Sequence, residues 1–104
     1  MKIYFINSKL REYIYSLEKL SLLKFTRLTD LLEKFKEKLG MPYSRQILTN
    51  LYELRIRGKQ EIRVFYCFHH SQIVFVHAFI KKSQKTPPQE IKTALVRIKL
   101  LTRV

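Results

Sequence analysis

The sequence predicts an α+β fold with the element order β-α-α-β-β-β-α: an antiparallel sheet with an N-terminal αα-hairpin and a C-terminal helix. Three observations predict it. Apolar residues recur at helical spacing from Lys9 to Leu39, at period two from Leu51 to Ile80, and at helical spacing again after Pro88. The chain has 104 residues, the length of one domain. No Pro/Gly/Ser linker, repeat or low-complexity tract divides it.

Each element has a local reason. Ile3 to Ile6 is a short β-rich run that ends at Asn7-Ser8, where Ser8 is the expected helix N-cap. Leu10, Ile14, Leu17 and Leu20 form the stripe of a first helix, and Leu28, Leu31, Leu32, Phe35 and Leu39 that of a second. A short turn near Leu20–Leu23 is expected between them. Gly40 stops the second helix, and Pro42 prevents its resumption. Leu51 to Arg57 alternates, with Tyr52, Leu54 and Ile56 on one face and Glu53, Arg55 and Arg57 on the other. Gly58–Glu61 reads as a turn, Ile62–His69 as a second strand of the meander, His70–Gln72 as a turn, and Ile73–Ile80 as a central strand. Lys81 to Pro88 is a loop. A last helix begins at Thr86 or Pro87, with Ile91, Ala94, Leu95 and Ile98 as its stripe. The first strand is expected at a sheet edge.

Composition narrows the class. Apolar residues make up 46% of the chain, enough for a core, and exclude intrinsic disorder. One cysteine excludes an internal disulfide and a Cys-based zinc site. No apolar run approaches the ~20 residues of a membrane span, and Met1 to Phe5 lacks signal-peptide organisation. A cytoplasmic protein with no membrane partner is expected. The formal net charge is +13, with the larger share in residues 51–104. A polyanion is the expected partner.

Two basic constellations stand out. Arg55 and Arg57 share a strand face, and Arg63 opens the next strand. Depending on loop length, Arg63 either joins that face or flips away from it. Such a cluster suits bidentate binding of phosphate oxygens, or it is an ordinary solvated sheet face. Lys81, Lys82 and Lys85 precede a helix N-terminus, where cations are disfavoured unless an anion sits nearby. Seven basic residues lie between Arg55 and Lys85 against one acid, Glu61.

Other residues read more plainly. His77 is expected to be a packed, hydrogen-bonded histidine, and His69 and His70 to be exposed at a turn. Cys67 reads as a small buried hydrophobe. Phe65 and Tyr66 alternate, so one faces the core and the other the basic groove, where Tyr66 is a base-stacking candidate. Glu53 shares a strand face with Arg55 and reads as one half of a cross-strand ion pair. There is no Gly-rich phosphate loop, Ser/His/Asp arrangement, paired carboxylates or metal-ligand spacing.

Leu51-Tyr52-Glu53-Leu54-Arg55, Ile62-Arg63-Val64-Phe65-Tyr66 and Val76-His77-Ala78-Phe79-Ile80-Lys81-Lys82-Ser83-Gln84-Lys85-Thr86-Pro87 resemble, in that order, the RelE/ParE toxin superfamily and its phage-derived HigB-like branch. The resemblance is strong over residues 51–95 and weak over the rest. It implies a single toxin domain over residues 1–104 with the RelE-like fold. It implies the toxin of a type II toxin–antitoxin system, a metal- and cofactor-independent endoribonuclease that cleaves mRNA on the ribosome by 2′-OH attack on the scissile phosphate. By the same resemblance, Arg55, Arg63 and Lys82 are catalytic, and Arg57, Lys81, Lys85 and Tyr66 contact RNA. The RelE-type C-terminal tyrosine has no counterpart near Pro88, which leaves Glu53 and His77 as stand-ins for the general base. The implied partner is an antitoxin, often acidic or carrying a helix-turn-helix. A ParE-like gyrase poison and a non-catalytic nucleic-acid-binding module or co-repressor are the alternatives.

Overall fold

The computed structural model of the protein describes residues 1–102. In chain order the elements are β1 (Lys2–Phe5), α1 (Ser8–Tyr15), α2 (Lys19–Phe35), a single 3₁₀ turn (Lys36–Lys38), β2 (Ser44–Leu48), β3 (Leu51–Ile56), β4 (Ile62–His69), β5 (Gln72–Ile80) and α3 (Pro88–Leu101). The architecture is α+β, as the periodicity predicts, with a five-stranded sheet in the order β1-β5-β4-β3-β2.

Two features of the sheet differ from expectation. The sheet is mixed rather than antiparallel, because β1 runs parallel to β5, with Lys2 opposite Gln72 and Phe5 opposite Phe75. Everything from α1 to β4 separates these strands in sequence, which is ample chain for a parallel crossover. β1 does take the expected edge. The second difference is β2, an unforeseen strand that pairs antiparallel with β3 at the opposite edge. Its sequence Ser-Arg-Gln-Ile-Leu has no run of β-branched residues. It is a strand because β3 offers a free edge and because the Ser44 hydroxyl, fully buried, hydrogen-bonds the Tyr66 hydroxyl.

The helices begin and end for identifiable reasons. Asn7, not Ser8, caps α1: its Oδ1 accepts the Leu10 N–H at 2.8 Å and satisfies one orphan donor of the first turn. The connection between α1 and α2 falls at residues 16–18, earlier than Leu20–Leu23. α3 opens with Pro88 in its first turn, where a missing N–H costs nothing.

Two cores lie on opposite faces of the sheet. Leu54, Ile56, Ile62, Val64, Tyr66, Ile73 and Phe75 pack against Leu10 and Ile14 of α1 and Phe25, Leu28 and Leu32 of α2. The other face is smaller: Leu51, Phe65, Cys67, Val74, Val76 and Phe79 close on Ala94 of α3. A bulge in β5 explains why the small core takes Val74 and Val76 at even positions but Phe79 at an odd one. Phe65 pairs with His77 while Tyr66 pairs with Phe75, which leaves Val76 as the extra residue. The β4–β5 hairpin turns through His70 and Ser71, with φ of 49° and 60°, the double left-handed conformation of a tight two-residue turn. No helix among the described residues is long and apolar enough to cross a membrane.

Candidate functional site

The register of β3 and β4 decides where the arginines go. Arg55 lies directly opposite Arg63, and Ile56 opposite Ile62. Direct cross-strand partners share a face, so both guanidinium groups point to the α3 side, beyond the small core. Arg57 follows the end of β3 and is exposed. The β3–β4 connection is stitched to the end of β5, where the Lys81 N–H donates to the Glu61 carbonyl at 2.6 Å. That contact places Lys81 and Lys82 beside the arginine pair.

Two like charges face to face need an opposite charge, and Glu53 supplies it. Its side chain is 1% exposed, and Oε1 lies 3.5 Å from Arg63 Nε, 3.9 Å from Arg55 Nε and 3.7 Å from Arg45 Nη2. The Thr86 hydroxyl donates to Oε2 at 3.3 Å. The expected cross-strand ion pair of Glu53 is therefore present, to Arg63 on β4 and Arg45 on β2, within a larger hub that includes Arg55. Arg45 enters it from β2, opposite Glu53 in register. Arg63 is itself only 2% exposed. Its Nη2 donates to Glu61 Oε1 and its Nη1 to the Ile62 carbonyl, both at 3.2 Å. The Nε atoms of Arg55 and Arg63 are buried without a hydrogen-bond acceptor. The hub thus holds the two arginines chiefly by charge and leaves hydrogen-bonding capacity unspent.

The local field shows in the titration of the neighbours. Burial, reinforced by Arg63 and Arg57 and opposed by Glu53, holds the Arg55 guanidinium below its ordinary value. Burial, then the charge of Arg63, lowers Lys81 against the pull of Glu53. Burial alone would raise the Glu61 carboxyl, but the hydrogen bond and charge of Arg63, the Gly58 N–H and Arg57 outweigh it.

These groups line an open cavity of about 480 Å³: Arg55, Arg57, Arg63, Lys81 and Lys82, with Glu61, Ser83 and Gln84. Five cations facing one acid give the cavity a strongly positive lining, the charge that suits an anion. Of the residues singled out from sequence, Arg55, Arg57, Arg63, Lys81 and Lys82 come together here. Lys85 is exposed outside the cavity, and its carbonyl accepts the Ser83 hydroxyl at 2.9 Å, which shapes the loop. Tyr66 is on the opposite face, 0% exposed, stacked on Tyr52 with its hydroxyl on Ser44. It cannot stack on a base. Phe65, the alternative, is equally buried, beneath α3. Bulk on both faces, not just one, covers β4 at this point.

Neither stand-in for a general base sits free in the cavity. Both oxygens of Glu53 are engaged as described. His77 is a packed, hydrogen-bonded histidine, with Nε2 3.2 Å from Glu90 Oε1 and Nδ1 3.4 Å from Arg97 Nη1. Since Arg97 can only donate, Nδ1 accepts and the proton sits on Nε2, toward Glu90. It lines a separate, smaller hollow with Tyr13, Lys9 and Arg97. Among the described residues no group of three or more His, Cys, Asp or Glu side chains is placed to hold a metal ion. Sequence reasoning missed Arg45, Ser83 and Gln84. Arg45 carries no local signal, because its place depends on β2.

A family model described as phage derived protein Gp49-like (DUF891) matches residues 12–99. No match was found among curated proteins.

Proposed function

The chain belongs to the family of phage-derived Gp49-like proteins, and from that membership we propose that it is the toxin of a type II toxin–antitoxin pair, a HigB-like endoribonuclease acting on mRNA at the ribosome. The observation that carries this reading is the cavity in which Arg55 and Arg63, fixed by buried Glu53, face Lys81 and Lys82.

The proposed reaction breaks the phosphodiester without water. The ribose 2′ oxygen releases its proton to solvent and bonds to phosphorus while the bond to the 5′ oxygen breaks; that oxygen takes a proton from Lys81, which solvent then recharges. The products are a 2′,3′-cyclic phosphate and a 5′-OH. Negative charge builds on the non-bridging oxygens in between, and preorganised cations stabilise that charge most where water is excluded. Buried Arg63 and half-buried Arg55 fit this task. Lys81, lowered by burial and by Arg63, is the group best matched to protonate the leaving 5′ oxygen. Lys82 and Arg57, exposed at the rim, hold the flanking phosphates. Glu53 touches no substrate in this scheme and acts as a positioning residue for the arginines.

The proposed partners are translated mRNA and a cognate antitoxin. The +13 charge favours fast, salt-sensitive association with an acidic antitoxin segment.

Mapping of mRNA 5′ ends after brief induction of the protein alone tests the reading. New 5′-OH ends in phase with the reading frame of translated messages are expected. Arrested growth with an unchanged map and accumulating DNA damage would replace the ribonuclease with a gyrase poison. An unchanged map with normal growth would leave a non-catalytic binding module.

A further inference from the structure

Beside the basic cavity lies a groove of about 380 Å³ with a different chemistry. Leu28 and Leu31 of α2 form one wall, and Pro42 and Tyr43 form the other. Lys24 and Arg27 of α2 and Arg55 and Arg57 at the end of β3 rim it. Among the described residues no carboxylate lines it. Two hydrogen bonds set its width. The Arg55 N–H donates to the Tyr43 carbonyl at 2.9 Å and holds the 41–43 segment to β3. Lys24 Nζ donates to the Arg57 carbonyl and holds α2 to the end of the same strand. The Tyr43 side chain lines the groove and is 44% exposed.

We infer that this groove accepts a nucleobase of the same single-stranded RNA whose scissile phosphate occupies the basic cavity. The inference rests on the ribonuclease reading and names what lies next to the reacting phosphate. A nucleobase presents an apolar π face, and the backbone that carries it is anionic. Apolar walls with an open tyrosine ring match the first, and the four cations match the second. A small inorganic anion would have no use for Leu28, Leu31 and Pro42. A purely apolar ligand would have no use for four cations at the rim. Continuity decides the rest: Arg55 and Arg57 line both the groove and the basic cavity. One strand can lay a phosphate on one side of these arginines and a neighbouring base on the other. The ligand is therefore a polynucleotide and not a free phosphate or a mononucleotide.

Fluorescence anisotropy with a labelled single-stranded RNA tests this, with every ribose 2′-O-methylated so that no cleavage occurs. Tyr43→Ala and Tyr43→Trp are compared with the wild type, each checked for an unchanged thermal unfolding curve. Tyr43→Ala is expected to weaken binding about tenfold, the effect of losing one stacked base, and Tyr43→Trp to retain it. An otherwise identical oligonucleotide of abasic residues is expected to bind wild type and Tyr43→Ala equally. Arg27→Gln, on the exposed rim, is a second variant and is expected to weaken RNA binding at low salt more than at high salt. Should intact RNA bind Tyr43→Ala as tightly as wild type while Arg63→Ala loses binding, the groove is overturned and the basic cavity stands. No RNA binding by the wild type overturns both. Loss of antitoxin affinity in Tyr43→Ala with RNA affinity intact assigns the groove to a protein partner and overturns the inference.

Discussion

The two faces of the central strands are built from the same backbone and teach opposite lessons. Under α1 and α2 the face is apolar apart from the buried Ser44–Tyr66 hydroxyl pair: Leu54, Ile56, Ile62, Val64 and Ile73 are buried against helix side chains. On the other face, α3 covers only part. Leu51, Phe65, Val76 and Phe79 meet Ala94, but further along β3 and β4 the same face carries Glu53, Arg55 and Arg63. The first face spends its residues on burial, worth about 25 cal/mol per Å² of apolar area. The second forgoes apolar packing at one end and holds buried ions instead, which on their own add little net stability. Strands that carry both faces supply the rigidity, and the uncovered end of one face supplies the basic cavity.

Breaking each face in turn sharpens this division. The largest effect is expected from Arg63→Ala. Loss of one preorganised donor costs about a hundred- to a thousandfold in rate, so the variant should give no growth arrest and no new 5′-OH ends while its circular dichroism stays native. Retained toxicity in a folded Arg63→Ala protein would remove this cavity as the active site. Leu54→Ala strikes the opposite face and should cost about 2–5 kcal/mol in urea unfolding, with the activity of the remaining folded protein unchanged. Glu53→Gln leaves Arg45, Arg55 and Arg63 without their shared counter-charge. It should cost about 3–5 kcal/mol, of which added salt should recover only a small part, because the arginines are mostly buried. Its activity should drop too, because the arginines lose their fixed positions. A variant as stable and active as wild type would show that the hub is ornamental. Lys82→Ala, at the exposed rim, should lower activity about tenfold through one lost phosphate contact and leave the melting temperature within a degree or two.

The smallest effect concerns groups buried away from the chemistry. Burial raises the Cys67 thiol from 9.0 to about 11. Burial, only partly offset by the Ser44 hydrogen bond, raises the Tyr66 phenol from 10.0 to about 12. Each stays protonated in the folded state where the unfolded chain has lost its proton, so folding is disfavoured as pH rises. Both contributions are whole below about pH 9 and fade as pH climbs through the folded values. Denaturant titrations at pH 8 and pH 10.5 should show lower stability at the higher pH, and Tyr66→Phe combined with Cys67→Ala should flatten the difference.

Legibility followed the range of the interactions. β3, β4 and β5 could be read because alternation and an apolar run are local signals, and α3 because Pro88 and the Ala94 stripe are local too. β2 could not, because Ser44-Arg45-Gln46 becomes a strand only by pairing with β3. Tyr66 was misplaced because alternation says which residues share a face but not what covers each face. Here helices cover both faces of β4. The Asn7 cap was one residue from Ser8, and either type can serve.

The sequence by itself determined the charge, the α+β class, the order of most elements and the clustering in the chain of the basic residues Arg55, Arg57, Arg63, Lys81 and Lys82. Each depends on composition or on neighbours a few positions away. The tertiary structure alone decided that Arg63 faces Arg55, that Arg45 and Thr86 converge on Glu53, and that β1 lies parallel to β5. These are matters of register and coverage between segments far apart in the chain. A shift of one residue in pairing would have turned Arg63 into the opposite core without altering any local pattern. What prevents that shift is the cost of burying the guanidinium among Leu54, Val64 and Phe75, a cost set by packing and invisible in the order of the letters.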